Sequence, residues 1–322
     1  MGANSPAIRT KATTTDSGRR RGKWGSAVRL SGNGPRTRPA VPYLLLIPLA
    51  VFLALFTLFP FVWGILISLQ PPLKAANGAI TSATTANFRF VVTDPEFVHS
   101  LTVTVEYAGL TTVLIIAISM ATVLALKVVR GGAAVYRFFL LVPLTIAPPV
   151  VVVLWRALFN SGSGAVNGVL GAVGIPPQGF YESTGQALLL LVLMGVWSNI
   201  GLWSFIFLAS LRALSTEVFE AARIDGAGVF STFFSVTLPL MKRTMLLAGV
   251  VLSSAGLVVF VPAQLLTNGG PGNATNFLMY SAAQNVLRYG QPADANAVVV
   301  ILLVLIGIVA AVQFRIIRSD DA

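Results

Sequence analysis

The stretch EAARIDGAGVFSTFFSVTLP, residues 220–239, is the most polar and charged internal part of this chain. Its side chains include the acids Glu220 and Asp225, with Gly226 directly after the second acid. The sequence has no cysteine and a single histidine, His99, which excludes thiolate catalysis and disfavours a histidine-based triad or metal site. The chemistry that remains for this segment is binding, either to a partner or to a membrane surface.

The sequence contains no nucleotide-binding loop of the form G-x-x-x-x-G-K-[ST]. Such a loop supplies the backbone N–H groups and the lysine that hold the phosphates of ATP. We therefore expect a chain that is not an enzyme and does not hydrolyse ATP itself. Any energy that it uses must come from a partner.

A second group of side chains could contact a solute. It lies in one apolar stretch and comprises Trp197, Ser198, Asn199, Trp203 and Ser204. A sugar site needs aromatic faces and hydrogen-bonding groups in an otherwise apolar cavity. Tryptophan also packs at lipid interfaces, and a mid-membrane asparagine can bond to a neighbouring helix alone, so both interpretations stay open.

The elements that position these groups must lie in a membrane. The chain is 55% hydrophobic and 10% charged, whereas a soluble domain carries about 25% charged residues. Most of its surface must therefore face lipid. The net charge of +11 lies mostly outside the apolar runs, so a nucleic-acid partner is not expected.

Six apolar runs have the length of about 20 residues that a membrane-spanning helix requires. They cover roughly 42–69, 101–127, 135–158, 185–211, 243–266 and 295–317. The fold class is therefore predicted to be an all-α polytopic membrane protein with six transmembrane helices. Pro143, Pro148 and Pro149 predict that the third helix is kinked or broken near 147–150.

The distribution of lysine and arginine predicts the orientation. With both termini in the cytoplasm, 18 of the 22 basic residues lie inside. The chain then consists of a basic, disordered cytoplasmic tail (1–41), a six-helix domain (42–317) and a short C-terminal tail (318–322). The loop 210–243 is cytoplasmic in this arrangement.

Ionisable residues are sparse inside the six runs, where Glu106, Arg137 and Arg156 all lie near helix ends. Mid-membrane ionisable residues mark proton relays and ion-coupled pathways. Their scarcity favours a neutral, hydroxyl-rich solute. It argues against an ion-coupled secondary transporter, which stays open as an alternative, as does a membrane scaffold with no pathway.

The cytoplasmic loop is predicted to form two short helices. Ser215 or Thr216 can cap the first, which should end near Ile224, and Asp225-Gly226 should make the turn. The second should cover about 228–236, and the small residues Ala221 and Ala222 should lie on the surface of the resulting knob. From these residues alone, a docking knob and an amphipathic loop on the membrane surface are equally good interpretations.

Residues 220–239 resemble the EAA loop of ATP-binding-cassette importer permeases, whose pattern is E-A-A, three residues, G, nine residues and I-x-L-P. Glu220-Ala221-Ala222 and Gly226 match it, and Val236 replaces the isoleucine before Leu238-Pro239. In that family the loop docks into a cleft of the ATPase subunit. The resemblance implies this coupling role for Glu220, Ala221, Ala222, Asp225 and Gly226.

The resemblance extends over about 42–317 and is closest to the carbohydrate branch, the maltose- and glycerol-phosphate-type permeases. The segments that carry it are NFRFVVTDPEFVHSLTVTV, LVPLTIAPPVVVVLWRALFN and LLTNGGPGNAT. It implies that Asn199, Leu202 and Trp203 line the solute cavity. The matching fifth-helix positions, Leu252, Ala255, Gly256 and Val259, are smaller and less polar than the maltose-type pattern.

The resemblance also implies partners and a location. The partners are a second permease subunit, two copies of an ATPase that hold ATP and Mg²⁺, and an extracytoplasmic solute-binding protein. The location is the bacterial plasma (inner) membrane, crossed several times. The expected function is import of a carbohydrate by alternating access, with a polyol or glycerol phosphate as the alternative solute.

Overall fold

The computed structural model describes residues 40–71, 83–128 and 133–319. All regular structure in these three ranges is helical. The chain divides into two units, residues 1–54 and 55–322. The predicted basic tail lies outside the described residues up to residue 39, and so does the C-terminal end from residue 320.

Five or six helical segments among the described residues could cross a membrane, in agreement with the predicted all-α polytopic fold. Five helices are long and apolar enough to cross a membrane, and a bent pair supplies the sixth if it crosses as one span. In chain order the spans comprise Ala40–Leu53 with Phe59–Ser68, Pro95–Val128, Ala133–Leu141 with Pro148–Leu158, Ala187–Arg212, Val229–Thr232 with Leu238–Leu257, and Pro292–Ser319.

Shorter helices connect the spans. They are Ala86–Thr93 before the second span, Ala165–Ala172 and the 3₁₀ turn Phe180–Glu182 before the fourth, Thr216–Ile224 before the fifth, and the π turn Ala263–Thr267 with Leu278–Leu287 before the sixth. The first of them closes the end of the first span, because the buried Asn87 amide donates to the carbonyl oxygens of Ser68 at 2.8 Å and Gln70 at 2.6 Å.

The third span is broken where the prolines predict it. Its halves Phe138–Thr145 and Pro148–Leu158 meet at an angle of 109°. Ala147, the residue before Pro148, is extended with φ −61° and ψ 139°. A residue before proline is pushed out of the helical region by the proline ring, so the break follows directly from the sequence.

The predicted bounds of the fifth span, 243–266, are wrong. The helical run begins at Val229, continues through the π turn Phe233–Thr237, and ends at Leu257. Lys242 and Arg243 are exposed on this helix without ending it, because helical hydrogen bonding is indifferent to which residues lie in lipid. Pro239 lies within the run rather than at its start, and the wider turn before it accommodates the missing N–H.

The core lies between the second, fourth and fifth spans. Its fully buried members include Val123 from the second, Leu191 and Phe207 from the fourth, and Met241 from the fifth. A second cluster joins the helix Ala86–Thr93 to the sixth span and to the helix Leu278–Leu287.

Glycines allow close helix contacts in this core. A Cβ added at Gly195 of the fourth span would lie 2.7 Å from the hydroxyl of Tyr107, and one at Gly256 of the fifth would lie 2.8 Å from Cα of Ala108. Small residues at such points let membrane helices approach closely enough for van der Waals packing to hold them together.

Gly256→Ala is therefore expected to destabilise the protein, because its methyl group has no room against the second span. Overpacking of this kind costs about 1–3 kcal/mol of unfolding free energy. Gly249→Ala on the same helix is the matched control, since the nearest atom to its added Cβ is the Gln313 amide nitrogen at 3.9 Å. Thermal unfolding in detergent should show a lower Tm for Gly256→Ala alone, and equal Tm values would contradict this account of the contact.

Candidate functional site

The loop 210–243 contains the predicted capped helix. It covers Thr216–Ile224, and the Ser215 hydroxyl accepts a hydrogen bond from the backbone N–H of Glu217 at 3.3 Å. This confirms the predicted serine cap. Glu217 also lies in the first turn, where the helix dipole favours an acid.

Gly226 ends this helix in a left-handed turn. Its φ is +75°, a conformation that glycine adopts without steric cost. The N–H of Gly226 donates to the Arg223 carbonyl at 3.1 Å, and the N–H of Ala227 donates to the Ala222 carbonyl at 2.9 Å. These two bonds make the Schellman arrangement that satisfies the last carbonyls of a helix. The predicted turn at Asp225-Gly226 is therefore confirmed.

The loop exposes four of the five residues to which the resemblance assigns coupling. Glu220, Ala221, Asp225 and Gly226 are exposed, whereas Ala222 is buried. The expectation that both alanines lie on the surface is therefore wrong for Ala222. Ala222 points about 100° away from Ala221 around the helix, and that direction faces the rest of the chain here.

Large apolar side chains surround the turn and are exposed to an unusual degree. Ile224 is 86% exposed, and Phe230 is 80% exposed. Phe219 and Phe233 pack against the core on the opposite side of the loop. An exposed apolar patch on a segment whose other side packs against the core marks an interaction surface.

The second part of the loop is continuous with the fifth span. The predicted separate helix at about 228–236 is instead the first turn Val229–Thr232 and the π turn Phe233–Thr237, which lead directly into Leu238–Leu257. A hydrogen bond of 2.8 Å between the hydroxyls of Ser210 and Thr244 ties the fourth span to the fifth beside the loop. The loop is thus mechanically joined to both spans.

The predicted solute-contact residues of the fourth span lie in different environments. Asn199 is half-buried, and its amide donates to the Gly195 carbonyl at 2.9 Å. Leu202 is exposed, while Trp203 is buried and its ring centroid lies 6.0 Å from that of Phe207. Trp203 therefore packs within this chain, and Asn199 and Leu202 are the residues of the three that a neighbouring molecule could reach.

The matching fifth-span positions separate in the same way. Leu252 and Gly256 are buried, and Gly256 packs on the second span. Ala255 is exposed and Val259 is half-buried. Ala255 is thus the most accessible of the four, and it carries no hydrogen-bonding side chain.

The turn-rich loop at the far end of the fifth span is held against the second span by long-range hydrogen bonds. The Asn276 amide donates to Oε1 of Glu96 at 2.9 Å, and Nε2 of His99 lies 3.0 Å from the Asn273 carbonyl oxygen. The N–H of Leu278 donates to Oγ1 of Thr104 at 2.9 Å. His99, the one histidine of the sequence, therefore contacts the backbone of this loop.

A cavity beside this loop was not anticipated from the sequence. Its volume is about 360 Å³, and its lining includes Asp94, Glu96, Arg288 and Asp294. Burial raises the pKa of the Tyr280 phenol in its wall above the ordinary value of 10.0, although the nearby Arg288 acts in the opposite direction. The phenol is therefore a neutral hydroxyl at physiological pH. The sequence did contain a signal for this cavity. Asp94 and Glu96 lie on either side of Pro95, and Asp294 follows Pro292 by two positions, so acids lie at the starts of two spans.

Comparison with known proteins gives consistent matches. The family model for the binding-protein-dependent transport system inner membrane component matches residues 114–319. The probable ABC transporter permease protein YurN of Bacillus subtilis (strain 168) is 27% identical over 283 residues, which cover 87% of this chain and 96% of that protein. The sn-glycerol-3-phosphate transport system permease protein UgpA of Escherichia coli O157:H7 is 29% identical over 282 residues, or 87% and 94% of the two chains.

A solved structure shares the fold. It is a chain from the crystal structure of a bacterial ABC transporter involved in the import of the acidic polysaccharide alginate. The TM-score is 0.75 at 17% sequence identity, and the match covers 86% of this chain and 95% of that one. The similarity at this identity concerns the fold.

The family match covers more than half of the chain, and it includes the broken third span, the fourth to sixth spans and the EAA loop. It confirms the predicted transport role without catalysis and sets aside the ion-coupled alternative. The chain belongs to the family of binding-protein-dependent transport system inner membrane components, and it is a multi-pass permease subunit of an ABC importer in the plasma membrane.

Proposed function

We propose that this permease imports a neutral, hydroxyl-rich solute, a carbohydrate or failing that a polyol, by alternating access. The relatives and the fold neighbour support a solute of this kind, since their names specify sn-glycerol-3-phosphate and alginate. Both of those solutes are anionic as well as hydroxyl-rich. A neutral solute is preferred here because Asn199, Leu202 and Ala255, the accessible positions of the expected pathway, carry no charge. A desolvated anion would lack a counter-charge from this subunit, at a cost of several kcal/mol.

The partners in this proposal are a second permease subunit, two copies of an ATPase subunit and an extracytoplasmic solute-binding protein. ATP and Mg²⁺ belong to the ATPase subunits. The need for a binding protein is part of the family description, and a solved alginate transporter has been crystallised with its periplasmic binding protein. Both termini of this chain lie in the cytoplasm, and the loop that contains Thr216–Ile224 lies there with them.

The observation that carries the coupling proposal is the exposed knob around Gly226. The Schellman turn leaves Glu220, Ala221 and Asp225 on the surface, next to the highly exposed Ile224 and Phe230. A small alanine lets the helix sit deep in a groove, and the apolar side chains around it can fill that groove. Ala222 is buried and has a different role, because it packs the helix against the rest of its own subunit.

The route of coupling follows from chain continuity. When the ATPase pair closes on ATP, the two knobs of the permease pair move together. In this chain the knob continues without a break into the fifth span from Val229 onward, and the Ser210–Thr244 bond links the fourth span to it. A displacement of the knob is therefore passed to the two spans that carry Asn199 and Ala255.

Asn199 and Leu202 form the accessible part of the solute pathway in this proposal. Asn199 uses one N–H for the Gly195 carbonyl, and its carbonyl oxygen and second N–H remain for a solute. Trp203 lies behind this face with Phe207 and would support it.

Labelling from outside the cell tests the orientation. Thr184 is exposed before the fourth span, and Ser231 is exposed in the first turn of the helical run Val229–Leu257. The proposal puts them on opposite sides of the membrane, and the chain has no cysteine of its own. Thr184→Cys should react with a membrane-impermeant maleimide in intact cells, whereas Ser231→Cys should react only after permeabilisation. The opposite pattern would reverse the proposed orientation.

Two glycines of the knob test the coupling role as a matched pair. An alanine at Gly226 must adopt φ near +75°, at a cost of roughly 1–2 kcal/mol. Gly228 has an ordinary φ of −69°, and an added Cβ at either position meets no atom within 4 Å. In the reconstituted importer, Gly226→Ala should lower solute-stimulated ATP hydrolysis severalfold and Gly226→Val should abolish it.

Gly228→Ala should retain normal stimulation, and all three variants should reach the membrane in normal amounts, because the strain is confined to the knob. Normal stimulation in Gly226→Val would remove the knob from the coupling mechanism.

Asn199→Leu tests the solute pathway. Removal of a hydrogen bond to a neutral solute is worth about 1 kcal/mol or more, so uptake of labelled sugar should fall at least about fivefold. Ser198→Ala is the control, because Ser198 is also half-buried and also bonds to a carbonyl four residues back, at 2.9 Å. Assembly with the ATPase should be normal in both variants. Equal uptake by both would assign recognition to the other permease subunit.

A further inference from the structure

The cavity of about 360 Å³ lies beside the loop that follows the fifth span. The helix Ala86–Thr93, the loop 268–276 and the start of the sixth span contribute its walls. None of Asn199, Leu202 and Trp203 lines it, so it is separate from the proposed solute pathway. In the proposed orientation it opens on the extracytoplasmic face.

Carboxylates dominate the charge of this cavity. Asp94, Glu96 and Asp294 line it against one guanidinium, that of Arg288. Two of these acids already have partners: Oδ1 of Asp94 accepts the backbone N–H of Glu96 at 2.9 Å, and Oε1 of Glu96 accepts the Asn276 amide. The three do not form a metal site, since no three acid, histidine or cysteine side chains among the described residues could hold a metal ion.

Asp294 is the informative member of the set. Its side chain is 5% exposed, yet no hydrogen-bond donor within the described residues reaches its buried Oδ1. Buried polar atoms are nearly always paired, and an unpaired one calls for an explanation. Asp294 lies in the first turn of the sixth span. This carboxylate therefore has an acceptor oxygen that no donor among the described residues satisfies.

Aromatic rings complete a site for a cation. Phe90 and Tyr289 line the cavity and are 60% and 61% exposed, which places them at its rim, while Tyr280 is buried in its wall. A guanidinium can stack on an aromatic face while it donates two parallel hydrogen bonds to a carboxylate, and an ammonium can satisfy the same groups less specifically.

We propose that this cavity receives a basic side chain, preferentially an arginine, of the docked extracytoplasmic binding protein, and that Asp294 pairs with it. The inference rests on the proposed function, in which that protein delivers solute to this face. A protein side chain fits better than a transported solute because the cavity lies within one subunit and away from the pathway residues. The loop around it is fixed to the second span by Glu96 and His99, so the receiving surface is already formed.

The test uses the complete importer in nanodiscs, with both permease subunits, both ATPase subunits and the solute-loaded binding protein. The readout is the binding-protein concentration that gives half-maximal stimulation of ATP hydrolysis. Loss of one partner of a buried charge pair weakens an interface by about tenfold or more. Asp294→Asn should therefore raise this concentration about tenfold and leave the maximal rate unchanged. Tyr289→Ala, at the exposed rim, should raise it severalfold.

Arg288→Gln gives a signature that a purely structural role would not produce, because removal of the competing cation should lower the half-maximal concentration. Glu182→Gln is the control, since Glu182 is exposed outside the cavity and accepts the Ser161 hydroxyl. N-acetylargininamide should compete with the binding protein, whereas the neutral N-acetylcitrullinamide should not.

The outcomes separate this inference from the proposed function. If the binding protein fails to stimulate the wild-type importer, the proposed function is wrong. If it stimulates wild type and all the cavity variants alike, the cavity receives no side chain of that protein. If Asp294→Asn does not assemble, the proposal is tested by the other two variants, Tyr289→Ala and Arg288→Gln, and by the competition experiment on the wild-type importer. Binding of N-acetylargininamide without any effect on the binding protein would assign the cavity to a free cation and overturn the proposal.

Discussion

Close packing of the fourth and fifth spans on the second span is the contact on which the rest of this permease depends. Membrane helices gain little from hiding apolar faces from lipid, so van der Waals packing at short range must hold them together. Gly195 of the fourth span and Gly256 of the fifth provide that range against Tyr107 and Ala108. Because Tyr107 and Ala108 are adjacent, one turn of the second span fixes the positions of both helices that carry the expected solute pathway.

The same span also fixes the loop that follows the fifth span. Glu96, His99 and Thr104 bond to the loop that follows the fifth span, so the loop's shape depends on a helix more than 170 positions away in sequence. The fifth span therefore has one end held at this loop and the other at the knob around Gly226. Its 29 residues, at about 1.5 Å per residue, give a rod of about 44 Å between the two. A single helix thus connects the loop that follows the fifth span with the loop that contains Gly226.

Prolines make this architecture possible without leaving backbone groups unpaired in lipid. A membrane has no water to satisfy a free carbonyl, so each break must be resolved within the protein. At Pro239 a π turn widens the helix, and at Pro148 the chain bends by 109° after an extended residue. The π turn before Pro239 keeps the helical run from Val229 to Leu257 continuous. The bend at Pro148 folds the third span back toward the fourth, where Trp155 lies beside Trp197.

The sequence by itself determined the features that depend on neighbouring residues along the chain. Six apolar runs predicted six spans, Pro148 predicted the break, Ser215 the helix cap, and Asp225-Gly226 the turn, because transfer into lipid, ring sterics and capping act within a few residues. Only the tertiary structure decided which side of each helix is covered. It buried Ala222 and Trp203 and moved the start of the fifth span to Val229. It also left Oδ1 of Asp294, beside a charged cavity, without a donor among the described residues. These outcomes depend on contacts between residues far apart in sequence, and no local pattern encodes which neighbour will lie against a given face.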